Sequence, residues 1–294
     1  FDDSEFFQIS SYSKINPMKN SEFTYGNIYK SVSTMRELSQ NIVNINNSRN
    51  QIDFYFDNLI VNLDFKRNHW HLLAQNGNKF ISEFLVCSSN LLLHRRSIDI
   101  LKTNQIPLRK AIPLNKDKKI DSLLNMIDQQ SYIPRLSFMI YTKSDYSYKD
   151  FYSKKYRYFY LEKDLENEFK IERVVFQLQE KSKLGIVVHT KSQDFIIEYL
   201  KNGEDKCKEI VIKRFNKLFA ESTYVNQLSD FKDISIMKWR ASQPLGKAVP
   251  LDFQFCENFK IGFCGDWFEG EGFGRIEGAI LSSLLLAKKF KTLN

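Results

Sequence analysis

Six of the eleven glycines in this 294-residue chain fall within seventeen positions, Gly262 to Gly278. Glycine that is sparse elsewhere and dense in one place marks backbone that bends through left-handed conformations or passes close to a ligand. The surrounding pattern reads as strand, glycine turn and helix. Phe259 to Cys264 is a short apolar run that ends at Gly265-Asp266. A loop with three glycines follows, and Glu277-Gly278-Ala279 then opens a helix. Its Ile280, Leu281, Leu284, Leu285 and Phe290 are expected to pack it onto a sheet. In open α/β sheets, ligands bind beyond the carboxyl ends of strands, where helix starts offer free N–H groups and positive potential. Asp266 at that strand end is placed to accept hydrogen bonds from ligand hydroxyls. The plainer reading is a βα loop capped by Asp266, and the clustering of glycines argues against it.

Composition narrows the remaining classes. Hydrophobic residues are 43% and aromatics 14%, which excludes a disordered chain, a collagen and a coiled coil. No apolar run reaches the ~18–20 residues of a spanning helix, and FDDSEFF lacks the marks of a signal peptide. Four scattered cysteines, Cys87, Cys207, Cys256 and Cys264, read as reduced thiols of a cytoplasmic protein. His69 and His71 flank Trp70 on a strand-like run and read as solvent-side polar residues, so no metal is expected. The net charge of +8 raises nucleic acid as a partner, with residues 146–160 as the best segment. Glu162, Asp164, Glu166 and Glu168 follow it and cancel most of that charge, so a solvated strand face is the better account.

The order of elements suggests α+β or a discontinuous two-domain α/β chain. A helix is expected within 21–46, where Thr34-Met35-Arg36-Glu37 fits a capping box. Residues 52–88 read as an antiparallel meander. Ile52, Phe54 and Phe56 alternate with polar positions, Leu59, Val61, Leu63 and Phe65 continue the pattern, and Asn76-Gly77 marks a hairpin with both turn residues at positive φ. One helix is expected from Ile120 to Ile127. Strands follow at RLSFMIY, YRYFYLE, RVVFQLQE and LGIVVHT, then a helix capped by Ser192 and another near 205–220.

Gly265-Asp266-Trp267, Gly274-Arg275-Ile276-Glu277-Gly278-Ala279 and Ser282 together resemble the closing FAD-binding motif of flavoprotein amine oxidases. Within that group they are most similar to the renalase-like branch. Lys238-Trp239-Arg240-Ala241 with Pro244, Val187-Val188-His189-Thr190 and Phe84-Leu85-Val86-Cys87-Ser88 resemble further family strands, and Phe1-Asp2 with Glu5-Phe6-Phe7 resemble a segment near its start. The chain departs from the family at Ser283, where a glycine is usual, and at Ser89-Asn90, where alanine–proline is usual. The family's opening G-x-G-x-x-G turn has no counterpart here, because the glycines before Gly262 stand alone at 26, 77, 185, 203 and 246.

The resemblance implies an α/β fold: a Rossmann-like FAD/NAD(P)-binding domain, truncated at its amino end, with an α+β substrate domain on an antiparallel sheet. It assigns 47–99 and 236–294 to the cofactor domain and 1–46 and 100–235 to the substrate domain. About 50–60 residues of a first βαβ unit would precede Phe1. The implied activity is FAD-dependent oxidation, a hydride passing from a small substrate, an amine or dihydronicotinamide such as NAD(P)H, to flavin N5. The implied cofactor-binding residues are Gly265, Asp266, Gly274, Arg275, Ile276, Glu277, Gly278 and, by its backbone near adenine, Ile60. Trp239 and Trp267 are candidate cavity walls, and no side chain is assigned a catalytic role. The alternatives are a flavin desaturase or isomerase on a lipid-like substrate, and a non-catalytic basic binding protein that keeps the fold.

Overall fold

The computed structural model describes residues 4–11, 14–18, 40–41, 52–142, 156–178, 184–222 and 231–291. In chain order its strands are β1 (Ser4–Ser11), β2 (Lys14–Pro17), β3 (Ile60–Lys66), β4 (His69–Ala74), β5 (Lys79–Ser82), β6 (Leu85–Cys87), β7 (Ser131–Thr142), β8 (Tyr156–Leu161), β9 (Ile171–Leu178), β10 (Leu184–Thr190), β11 (Phe231–Leu245), β12 (Phe255–Cys256) and β13 (Ile261–Phe263). Its α-helices of five residues or more are α1 (Arg96–Leu101), α2 (Pro107–Ala111), α3 (Lys118–Asp128), α4 (Lys163–Phe169), α5 (Ser192–Leu218) and α6 (Ile276–Lys291). The capping box at 34–37 and the aromatic-basic positions 146–155 lie outside the described residues. Among the described residues no helix is long and apolar enough to cross a membrane.

The chain divides into two units, 1–45 with 133–242 and 46–132 with 243–294. The first is built on a seven-stranded sheet in the order β11-β7-β10-β9-β8-β1-β2, antiparallel at β7-β10, β10-β9, β9-β8 and β1-β2, and parallel at β1-β8. Its four central strands are the four runs expected from the sequence. Period-two alternation puts Phe138, Ile140, Phe159, Phe176, Ile186 and Val188 on one buried face, where α5 covers them with Phe195, Cys207, Val211, Phe215 and its C-cap Phe219. α5 holds the two helices expected from 192 onward, which meet at Gly203, whose φ of 79° and ψ of 180° are not helical. The N-cap of α5 is Lys191 rather than Ser192.

The second unit holds the antiparallel β3-β4-β5 meander and a three-stranded sheet in the order β12-β13-β6, with β13 and β6 parallel. The meander begins at Ile60. Ile52, Phe54 and Phe56 precede it as exposed, non-strand residues, so their alternation is not a strand. Its first hairpin turns at Arg67 and Asn68, both left-handed at φ 52° and 64°, the two-residue geometry that glycine and asparagine usually fill. At Asn76-Gly77 only Gly77 takes positive φ, 90°; Asn76 Oδ1 instead accepts the Asn78 N–H at 3.1 Å.

Residues 100–130 pack in this unit, not in the one built on the seven-stranded sheet. Leu108, Ile112, Ile120, Leu123 and Ile127 are fully buried in one core with Trp70, Val249, Ile261 and Phe263. The amphipathic face of α3 has its apolar complement there. Asp117 caps α3 by accepting the Ile120 N–H at 3.0 Å, and it also accepts from Asn258 Nδ2 at 2.9 Å. Trp70, wholly buried, donates from Nε1 to the Phe259 carbonyl at 2.7 Å and so ties the meander to the approach of β13.

Candidate functional site

The glycine-rich segment is a closed turn between β13 and α6. All three residues of β13 are buried between its neighbours β12 and β6, and the Cys264 N–H continues the parallel ladder to the Cys87 carbonyl at 3.1 Å. At Gly262 a Cβ would sit 3.0 Å from Leu286 Cδ2, so α6 crosses the strand where it has no side chain. Gly265 then leaves the sheet at φ 146°, and a Cβ there would lie 2.3 Å from Trp267 Nε1. Ser282, one turn into α6, holds this bend. Its hydroxyl accepts the Gly265 N–H at 2.9 Å and donates to the Gly265 carbonyl at 2.9 Å or to Ala279 at 3.0 Å.

The loop closes on itself. The Gly274 N–H donates to the Asp266 carbonyl at 2.7 Å and the Arg275 N–H to Gly272 at 2.8 Å. Gly272 and Gly278 touch backbone to backbone, since a Cβ on Gly278 would lie 2.3 Å from the Gly272 carbonyl oxygen. This contact, rather than a ligand, requires glycine at both positions. The first helical bond runs from Ala279 N–H to the Arg275 carbonyl at 3.2 Å. The amides of Ile276, Glu277 and Gly278 therefore lack intrahelical partners, as at any helix start.

The burial of α6 differs from the sequence expectation. Gly278, Ser282 and Leu286 form the buried stripe, whereas Ile280, Leu281, Leu284 and Leu285 are exposed, Leu284 by 56%. Small residues let the helix sit close to the turn, and that spacing, not the bulky side chains, sets which face is inward.

Of the residues assigned from sequence, Gly265, Asp266, Gly274, Arg275, Ile276, Glu277 and Gly278 come together in this turn. Ile60 begins β3 in the same unit and is half-buried. Trp267 is 2% exposed in the core, with its ring 4.2 Å from that of Phe268. Trp239 lies on β11 in the other unit and is 49% exposed. The carboxyl of Asp266 is half-buried, and burial raises its pKa against the opposing pull of Arg96.

Other polar side chains of this unit that sequence reasoning did not single out are buried or half-buried. Burial pushes the Tyr132 phenol up to about 12 while Arg96 pulls it down. His94 accepts the Arg96 N–H at Nδ1 (3.1 Å), so its Nε2 carries the proton donated to the Gln130 carbonyl at 3.0 Å. Burial lowers its pKa, which keeps it neutral. Gln130, 3% exposed, donates to the Lys247 and Trp267 carbonyls at 3.2 Å each. A polar residue held at 3% exposure is informative in three dimensions, but nothing around Gln130 in the sequence marks it.

No protein-family model matches the chain, and no curated protein matches it. Solved structures do. Cyclohexylamine oxidase from Brevibacterium oxydans IH-35A superposes with a TM-score of 0.56 at 10% identity, covering 84% of this chain and 51% of that one. The fold is shared with amine oxidases. Putrescine oxidase bound to putrescine matches with a TM-score of 0.53 at 10% identity, covering 87% of this chain and 53% of that one. The chain therefore spans about half the length of these enzymes, and the likeness is one of fold.

Proposed function

We propose that this chain belongs to an FAD-dependent oxidoreductase of the renalase-like, amine-oxidase-related group. The observation that carries the reading is the closed turn of Gly265 to Gly278, with Asp266 half-exposed at a strand end, on a fold shared with amine oxidases. The residues present fit the flavin end of the cofactor. Asp266 accepts hydrogen bonds from its sugar hydroxyls. The amides of Ile276 to Gly278 and the positive end of the α6 dipole would stabilise negative charge on the flavin. When bound, FAD would supply the redox chemistry as hydride acceptor. The protein's part is to hold the two reactants and exclude water.

The adenosine and pyrophosphate contacts would come mainly from the G-x-G-x-x-G turn, which this sequence does not contain. The reading assigns that turn to a first βαβ unit outside it. Its substrate is a small charged molecule, a dihydronicotinamide or an amine. The experiment is to purify this chain and a form carrying the upstream coding sequence, then measure bound flavin by visible absorption. Yellow longer protein and colourless chain are expected. A yellow chain with stoichiometric FAD refutes the missing unit, and a colourless longer protein that ignores added FAD refutes the flavoenzyme.

A further inference from the structure

Two arginines open α1, and their surroundings differ. Arg95 Nε pairs with Asp128 Oδ1 at 3.7 Å on the surface. Arg96 has no ion pair among the described residues. Its Nη2 donates to Asn90 Oδ1 at 2.7 Å, and its guanidinium carbon lies 4.2 Å from the centroid of the Tyr132 ring. A cation at the amino end of a helix opposes the helix dipole, and partial burial removes some of its water.

The groups around it are unmatched in the same sense. Arg96 Nε, Asn90 Nδ2, Ser97 Oγ and Tyr132 Oη are buried without a hydrogen-bond partner. Asn90 is 4% exposed and Ser97 is wholly buried. Native interiors rarely leave such atoms unpaired, and each carries a desolvation cost. The first two are donors only, and the hydroxyls of the other two can donate. Gly265 packs against the Ser88 carbonyl and Gln130 donates to the Trp267 carbonyl at 3.2 Å, so the segments that carry Asn90, Tyr132 and Asp266 meet, and the charge of Arg96 acts on Asp266. Arg96, Tyr132 and Asp266 are part-exposed residues, and the unpaired atoms lie just beneath that surface.

We propose that Arg96, with Asn90 and Tyr132, forms an oxyanion subsite beside Asp266 that takes the phosphate of a sugar phosphate. The pairing of functions carries the choice of ligand: a carboxylate that accepts from hydroxyls stands next to a cationic donor set that suits a phosphate oxygen. The subsite rests on the flavoprotein reading only for the source of that phosphate, which is the cofactor's own or that of a nucleotide substrate.

The test compares FMN with riboflavin, which differ by the phosphate alone, and adds ribose 5-phosphate as a flavin-free probe. The wild-type protein is expected to bind FMN at least tenfold more tightly than riboflavin, the size of one charge-assisted hydrogen bond. Arg96→Gln erases that preference and leaves riboflavin affinity unchanged. Asn90→Asp keeps the acceptor for Arg96 but replaces the unpaired donor with an anion, and it erases the preference too, so the test survives if Arg96→Gln does not fold. Ribose 5-phosphate binding to flavin-loaded protein, lost in both variants, assigns the subsite to the substrate. If no flavin binds but ribose 5-phosphate still raises the melting temperature of the wild type and of neither variant, the flavoprotein reading falls and the subsite stands. The proposal is overturned if neither variant changes any phosphate-dependent binding.

Discussion

In the first unit, α5 lays Phe195, Val211, Phe215 and its C-cap Phe219 over Phe138, Phe159, Phe176 and Val188, and the covered face is apolar almost throughout. In the second, the turn from Gly265 to Gly278 is held by backbone contacts and one serine hydroxyl, and seven of the nine buried unpaired polar atoms found among the described residues belong to this unit's Asn90, Arg96, Ser97, Gln130, Tyr132, Gln254 and Trp267. Side-chain packing dominates the first region and backbone approach with polar preorganisation the second. The difference teaches where to look for chemistry: a region that retains unmatched polar groups beside its tightest backbone contacts is arranged around something other than its own stability.

Breaking the first region should be a matter of volume. Phe176 is 1% exposed and its ring meets those of Phe159, Phe215 and Phe219 at 5.4–6.0 Å. Phe176→Ala is expected to lower the unfolding free energy by about 3–5 kcal/mol in a denaturant titration. A loss below about 1 kcal/mol would mean that this core is not close-packed as described.

A second expectation concerns pH on the opposite face of the same sheet. Burial first, and then Arg173 and Arg135, push His189 down to about 4 from its ordinary 6.5. Between those values the unfolded chain binds more protons than the folded one, so stability is full above about pH 6.5 and falls as pH drops towards 4. The loss attributable to His189 is about 3 kcal/mol. His189→Gln should remove that part of the acid limb, read as the difference between the two stability–pH curves. Superimposable curves would contradict the burial of this imidazole.

In the second unit the sensitive steps are small in volume. Gly278→Ala puts a methyl 2.3 Å from the Gly272 carbonyl oxygen and is expected to cost about 1–3 kcal/mol, because backbone has to move. Gly270→Ala meets nothing within 4 Å and suffers only the strain of φ 127°, about 1–2 kcal/mol. Thermal unfolding of the two variants side by side sharpens the point. Equal effects would show that conformational strain, not close approach, is what the glycine cluster answers.

The four central strands of the first unit were legible because one buried face forces strict alternation over six or more residues, as in Ile186 and Val188 on β10. The strand–turn–helix around Asp266 was legible because glycine is concentrated there. The Arg67-Asn68 turn was not, because neither residue is glycine and their left-handed geometry is imposed by the paired strands. The inward face of α6 was misread because bulky side chains are the usual guide, while here Gly278 and Ser282 set the contact. The cluster around Arg96 left no local trace. Its members stand at 90, 96, 132 and 266, and only folding brings them together.

The central claim is that Asp266 and the turn after β13 form the flavin end of a cofactor site. It is tested most directly by the visible spectrum of the protein purified with its upstream coding sequence, beside its Asp266→Ala variant. The account predicts a flavin absorption band at about one FAD per chain for the wild type. In the variant the band should fall at least tenfold, the loss of about one charge-assisted hydrogen bond. A wild type that stays colourless with added FAD, or a variant that keeps its full complement of flavin, would contradict it.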